Sequence, residues 1–458
     1  MSRTPGRLWD KGKGLDDLVH RFTVGDDPAW DSHLVHWDCL GSAAHARTLA
    51  RIGLLSPSEL ADLLGGLAEI DALDRAGRFE LKTELEDCHT AIEAYLVQHC
   101  GTAGEKIHAG RSRNDQVATA IRLCLRHHAL GWLDALARFI DIVIARAQRD
   151  GAIPMPGYTH LRPAMPSSVG QWLHSFADAA LEQMSAAIDL LGRLDSCPLG
   201  TGAGYGVPLP LDRAYTASLL GFSRVQRSPI DVQNSRGRME KYFVRVGSDI
   251  AGLVEKLACD LLLFTTLEFG FFDLPEALTT GSSIMPQKHN PDVLELLRAR
   301  SGRLRTRVLE LEGLCAKLSS GYHRDLQLTK EPALRTAMEV PELLAVAGRV
   351  IEGLLLRPDR LSAAMRPELY AAHAALELAQ TGVPFREAYR QVAVRLRAGG
   401  FTQAELDRGQ SAESAADAWI DPVREELQQW VAKADLIRAR VQPAEAALLP
   451  PPPQELDK

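Results

Sequence analysis

The sequence predicts an all-α protein built on an elongated central bundle of long helices, flanked by small helical N- and C-terminal domains. Three observations carry this. Apolar residues recur at spacings of three and four over unusually long stretches. Alternating strand-like runs bounded by turn residues are nearly absent, and prolines and glycines gather in a few short segments between the stretches. At 458 residues the chain exceeds what one hydrophobic core supports, so two or three domains, or one very elongated bundle, are expected.

The first part, residues 1–110, reads as shorter helices with turns at Leu55–Glu59 and Gly101–Gly104, forming an N-terminal helical domain. Residues 111–356 hold four long helical stretches: Asp115–Arg149, Ser167–Ser196, Arg236–Phe269 and Pro291–Ser319. A helix of about 30 residues is about 45 Å long, more than a compact domain needs. Within the third stretch, DIAGLVEKLACDLLLF (Asp249–Phe264) is apolar on more than one stripe, so neighbours must cover several faces. Association through these central helices is expected. Turn-rich segments at Pro154–Gly157, at Pro198–Pro210 with its four glycines, and at Leu274–Pro291 each precede a predicted helix. From about Arg357 the pattern shortens again, giving a C-terminal helical domain over residues 357–458. Its tail from Gln442, with Pro450–Pro453 in a row, is expected to leave the helix and run frayed or extended.

Composition excludes several roles. Charged residues at 24% and hydrophobic ones at 46% give an ordinary globular balance. A formal net charge of -7 supplies no basic field, so no nucleic-acid partner is expected. The seven cysteines are scattered and include no CxxC pair, which points to a reducing cytoplasm and to no zinc site or disulfide scaffold. The N-terminus lacks the apolar core of a secretion signal. No stretch reaches the roughly 20 apolar residues of a membrane span. The nearest, Ile250–Phe272, is interrupted by Glu255, Lys256, Asp260 and Glu268, so no membrane partner is expected.

Chemistry concentrates in Thr280–Asp292. Gly281 is followed by the hydroxyls of Ser282 and Ser283, then by Lys288, Asn290, Pro291 and Asp292. Asn290 suits a helix N-cap, Pro291 the first helical position and Asp292 the positive end of the dipole, so a helix should start here and present N–H groups to an anion. On chemistry alone, a flexible surface loop ahead of a capped helix fits equally well.

The same segment, GSSIMPQKHNPD (Gly281–Asp292), resembles the mobile catalytic loop of argininosuccinate lyases, within the fumarase and aspartase superfamily. Three further blocks are similar to that family: HAGRSRNDQVATAIRL (His108–Leu123), GYTHLRPAMPSS (Gly157–Ser168) and GYHRDLQLTKE (Gly321–Glu331). With LWDKGKG near the N-terminus and EDCHTAIE around His89, the likeness covers about residues 8–400. It implies a reversible anti β-elimination that splits argininosuccinate into L-arginine and fumarate without cofactor or metal. It also implies a homotetramer with a many-helix core, in which blocks from three subunits meet at each site.

Residue by residue, the resemblance makes Ser282 the base for the carbon-3 proton. A neutral serine is a poor base, so backbone N–H dipoles, the charge of Lys288 and exclusion of water would have to activate it. His160 is the implied acid for the departing nitrogen, and the two roles exchange with direction. Glu295, about one turn into the helix, could orient His160 and raise its pKa across a subunit boundary, or be a solvated glutamate. Asn114 and Thr159 match residues holding the substrate's carboxylates; Lys288 and Asn290 flank the fumarate part; Tyr322, Gln327 and Lys330 match the arginine-side pocket. Arg111, Ser112 and Arg113 add donors, though Arg113 and Asp115 could equally be a helix-start ion pair. His89 and Arg236 complete the implied set, with a basic residue in a solvated first turn as the plain reading of Arg236.

Several positions depart from the family pattern. Asp27 stands where a substrate-contacting serine is usual; Arg162 and Pro163 replace a Gln-Arg pair; Ser235 and Gly237 replace aspartates around Arg236; Leu328 and Thr329 replace acidic residues before Lys330. These positions fall near the amine side of the implied pocket. The alternative reading is therefore a superfamily lyase that releases fumarate from a different N-substituted aspartate. Asp27 itself could bind a guanidinium or cap a turn.

Overall fold

Helix runs through most of the chain, as the apolar spacing predicts. The computed structural model describes residues 16–81, 85–401 and 418–451. The LWDKGKG segment and Pro452 and Pro453 lie outside these residues. Helices α1 (Asp17–Val24) and α2 (Asp27–Asp31) lead into α3 (Val35–Arg51), α4 (Pro57–Arg75), α5 (Cys88–Cys100) and α6 (Thr102–Lys106). The turn signal at Leu55–Glu59 marks a true helix start, because Ser56 and Glu59 cap each other's backbone N–H groups at the head of α4.

The central helices follow: α7 (Arg113–Asp150), α8 (Val169–Leu194), α9 (Arg213–Leu219), α10 (Pro229–Asn234), α11 (Arg238–Phe264), α12 (Asp292–Leu314) and α13 (Lys330–Gly353). All four predicted long helices are present, although α11 stops at Phe264 and α12 at Leu314. Helix α7 packs against α8 and α13, while α11 packs against α8, α12 and α13. Where α7, α11 and α13 meet, the rings of Trp132 and Phe243 lie 4.1 Å apart. A Cβ on Gly247 would come within 2.5 Å of Thr336 and 3.0 Å of Trp132, so glycine is what lets α11 approach so closely. Helices α11 and α12 run antiparallel, with Glu255 bonded to Arg305 and Arg245 facing Glu312 at 3.8 Å.

Three features differ from expectation. The proline-rich segment from Pro154 forms an antiparallel hairpin, β1 (Pro154–Thr159) with β2 (Arg162–Ser168). Its prolines at 154, 156, 163 and 166 break the alternation by which strands are recognised. Pairs of two residues each also form: β3 (Phe272–Asp273) with β6 (Leu355–Leu356), and β4 (Thr280–Gly281) with β5 (His289–Asn290).

Beyond α14 (Pro358–Ala364), α15 (Ala371–Gln380) and α16 (Phe385–Arg397) comes a long last helix, α17 (Ile420–Ala446), against the shortening pattern. It carries helix through Gln442 and Pro443, where the sequence suggested none. Ion pairs hold it against the bundle: Arg438 to Asp134 at 2.5 Å, Arg440 to Asp195 at 2.7 Å, and Arg126 to Glu445, beyond the proline, at 2.7 Å. Among the described residues, no helix is long and apolar enough to cross a membrane.

Candidate active site

At one end of the bundle stands the loop between β4 and β5. Ser282 Oγ accepts hydrogen bonds from the backbone N–H groups of Ile284 at 3.3 Å and Met285 at 3.1 Å. Lys288 is exposed, its backbone N–H turned back to the Met285 carbonyl at 3.0 Å. Asn290 is not the expected N-cap. It is recruited into β5 opposite Thr280, and its side-chain amide reaches the Gly281 carbonyl at 3.4 Å. Pro291 takes the cap position without a side-chain bond, α12 begins at Asp292, and the Thr280 hydroxyl bonds the Asp292 carboxylate. Glu295 is exposed on the first turn of α12.

At the same end of the bundle rises the β1–β2 hairpin. Thr159 pairs with Arg162, so the turn consists of His160 and Leu161, with φ of 52° and 58°. A two-residue turn with positive φ at both positions is usually filled by Asn-Gly. Histidine and leucine there store backbone strain, and they leave the imidazole exposed at the tip. At the hairpin base, Tyr158 packs on Phe269 at 5.6 Å and on Phe264 and Phe271 at 6.3 and 6.4 Å, seating it on the C-terminal end of α11. Among the described residues no hydrogen bond joins His160 to Ser282 or Glu295.

A second group forms where α7, α11 and α13 begin. Ser112 caps α7 and shares a capping box with Asp115, and the Asn114 backbone N–H reaches Ser112 Oγ at 3.3 Å. Asp115 does not pair with Arg113. Its second oxygen accepts the N–H groups of Gly200, Thr201 and Gly202 at 3.0, 2.9 and 2.9 Å, while Arg113 turns to Asp87 at 3.3 Å. Burial pushes the Asp115 carboxyl up to about 6. Arg111 is buried and donates to Ser42 Oγ at 2.7 Å.

Lys330 lies between two carboxylates, 2.5 Å from Asp31 and 2.9 Å from Asp27. The other Asp31 oxygen takes the Cys88 N–H at 3.2 Å. Next in the chain, His89 faces Asp38 at 3.2 Å, and Asp38 also accepts the Gln116 amide at 2.9 Å. Burial alone would favour neutral forms throughout this group. The opposed charges outweigh it, raising Lys330 and His89 and holding Asp38 below the usual carboxylate range. Arg236 is buried rather than solvated, bonded to Glu240 at 3.2 Å and to the Leu326 carbonyl at 3.0 Å. Tyr322 is half-buried near Arg236, Arg324, Lys330 and Asp27, and burial pushes its phenol up. Gln327 Oε1, His89 Nε2 and Arg236 Nη1 are buried without a hydrogen-bond partner among the described residues.

Within one chain, then, Thr159, His160, Ser282, Lys288, Asn290 and Glu295 share one end of the bundle. Ser112, Asn114, His89, Arg236, Tyr322, Gln327 and Lys330 share the other. Helices α7, α11 and α13, of 38, 27 and 24 residues, span the gap. At 1.5 Å per residue the shortest is about 36 Å long. Sequence reasoning missed the carboxylates that organise the second group: the buried Asp31, Asp38 and Glu240, and the half-buried Asp87. One signal was available, since Asp27 and Asp31 are four apart and so lie on one helical face.

An elongated helical bundle bearing such a serine loop defines a class. A family model described as "Lyase" matches residues 20–305. The class II fumarase of Schistosoma mansoni has the same fold, with a TM-score of 0.71 at 15% identity, covering 87% of this chain and 95% of that one. An EDDS lyase in complex with formate superposes with a TM-score of 0.77 at 22% identity, covering 95% of each chain. The chain belongs to the lyase family that the matching family model describes. Argininosuccinate lyase of Sorangium cellulosum is 44% identical over 392 residues, 86% of this chain and 91% of that protein. The same enzyme of Stenotrophomonas maltophilia strain K279a is 43% identical over 422 residues, 91% of this chain and 97% of that one. This chain belongs to the argininosuccinate lyase family.

Proposed function

We infer that the protein cleaves argininosuccinate to L-arginine and fumarate, with Ser282 removing the carbon-3 proton and His160 protonating the departing guanidinium nitrogen. The observation that carries the reading is the pair of backbone N–H groups on Ser282 Oγ. Both dipoles point at the oxygen and favour its anionic form, and Lys288 in the same loop adds positive charge. Loss of the proton leaves charge on the adjacent carboxylate, which Asn114 and Thr159 hold along with the second carboxylate. The carbon–nitrogen bond then breaks as His160 gives up its proton, oriented by Glu295.

The site assembles from several copies of the chain, as a homotetramer with shared sites. The two groups of one chain stand at opposite ends of long helices, so neither contains the whole machinery. Incubation with argininosuccinate, followed by the ultraviolet absorbance of fumarate, tests the reading. Saturable release, abolished by Ser282→Ala, is expected. No fumarate from argininosuccinate, with release from another succinyl amine, would overturn it.

A further inference from the structure

We propose that Asp27 receives the α-ammonium group of the leaving amino acid, making the amine side of the site selective for a substrate end that carries a positive charge. The inference rests on the reading above and concerns a residue at which this chain departs from its family. Asp27 and Asp31 both reach Lys330 from one face of α2, but they are not equivalent. Asp31 has no exposed side-chain surface, and its two oxygens are taken by Lys330 and the Cys88 N–H. The Asp27 side chain keeps 12% of its surface, and only Oδ1 is engaged with Lys330. Asp27 is thus the carboxylate of the pair that a ligand can touch.

Charge points the same way. A serine at this position would leave Lys330 and Asp31 as a balanced pair. Asp27 adds a second carboxylate beside Lys330, with Arg324 the further cation acting on it, and an incoming ammonium would meet two acidic groups there. Burial pushes the Asp27 carboxyl up, with Asp31 adding to the rise and Lys330 and Arg324 opposing it, and a cationic ligand would favour its charged form. Gln327 Oε1, in the turn that leads into Lys330, is a second acceptor, buried and without a partner among the described residues. Donors for a carboxylate are present as well. Arg324, anchored on the Thr23 carbonyl at 2.8 Å, and Arg236 both act electrostatically on Tyr322. Acceptors and donors together suit the zwitterionic end of an α-amino acid.

The test runs the reaction backwards, following uptake of fumarate with three guanidines: L-arginine, agmatine, which lacks the α-carboxylate, and 5-guanidinopentanoate, which lacks the α-amino group. For Asp27→Asn, kcat/KM is expected to fall about tenfold or more with L-arginine and agmatine and to change less than about threefold with 5-guanidinopentanoate. Asp27→Glu, which keeps the charge, should recover most of the preference, and thermal unfolding monitors the integrity of each variant. Equal falls for all three guanidines would overturn the assignment and leave Asp27 as a partner of Lys330 alone. Failure of the unaltered protein to consume fumarate with L-arginine would instead overturn the reading on which it rests.

Discussion

Asp31 and Lys330, 299 residues apart in the chain, meet at 2.5 Å with almost no exposed surface on either side chain. Asp31→Ala would leave the buried Lys330 ammonium with Asp27 as its one carboxylate partner and the Cys88 N–H without its acceptor. Asp31→Ala is expected to destabilise the protein by about 3 kcal/mol in urea unfolding. Adding Lys330→Met should recover a good part of that loss. A single variant as stable as the parent would show that the pair is not held as described.

Shared sites predict complementation. Ser282→Ala and Asn114→Ala should each lose nearly all activity, because each removes a group from opposite ends of every chain. On the shared-site reading, co-expression of the two variants is expected to give mixed oligomers in which some sites draw their loop and their α7 start from unaltered ends. Partial activity is the expected outcome. A mixture no more active than its parts would argue against sites built from several subunits.

Gly237, just before α11, has φ of 73°, and a Cβ there would fall 2.2 Å from Cys315 Sγ. Gly237→Ala therefore combines backbone strain with a clash and should cost about 2 to 3 kcal/mol. It should also disturb the neighbouring Arg236. Adding Cys315→Ala removes the clash but not the strain, so partial recovery of the unfolding midpoint is the check.

His45 is buried and donates to the Ala109 carbonyl at 2.9 Å when Nε2 carries the proton. Burial, helped by the nearby charge of Arg111, pushes the imidazole down to about 3, with Ala109 opposing and His108 adding slightly. The folded state thus prefers neutral histidine. Its contribution is complete above the unfolded value of 6.5 and is lost as pH falls toward 3. Between pH 6.5 and 5 the parent should lose about 2 kcal/mol from this group, a loss absent in His45→Gln. Urea midpoints across that range decide it.

How much of this could be read beforehand follows from what each feature depends on. The long helices were legible because periodicity is local, and α7 begins within two residues of its predicted start. On its residue types alone the serine loop reads equally as a flexible surface loop, and only the resemblance of GSSIMPQKHNPD to a catalytic loop singles it out. The hairpin was hidden, since its prolines mask alternation and its turn uses His160 and Leu161 where Asn-Gly would have announced it. Asn290 reads as a cap from its neighbours alone, but a strand partner at Thr280 claims it. The clamp on Lys330 joins segments from opposite parts of the chain, and nothing local records such a meeting.

The unbroken 38 residues of α7 act as a ruler. One inserted residue would lengthen it by about 1.5 Å and turn everything beyond by about 100°. Asn114 would then face correctly only if the hairpin at the far end faced wrongly. Insertions and deletions should therefore be rejected within this helix, even at positions far from any reacting atom.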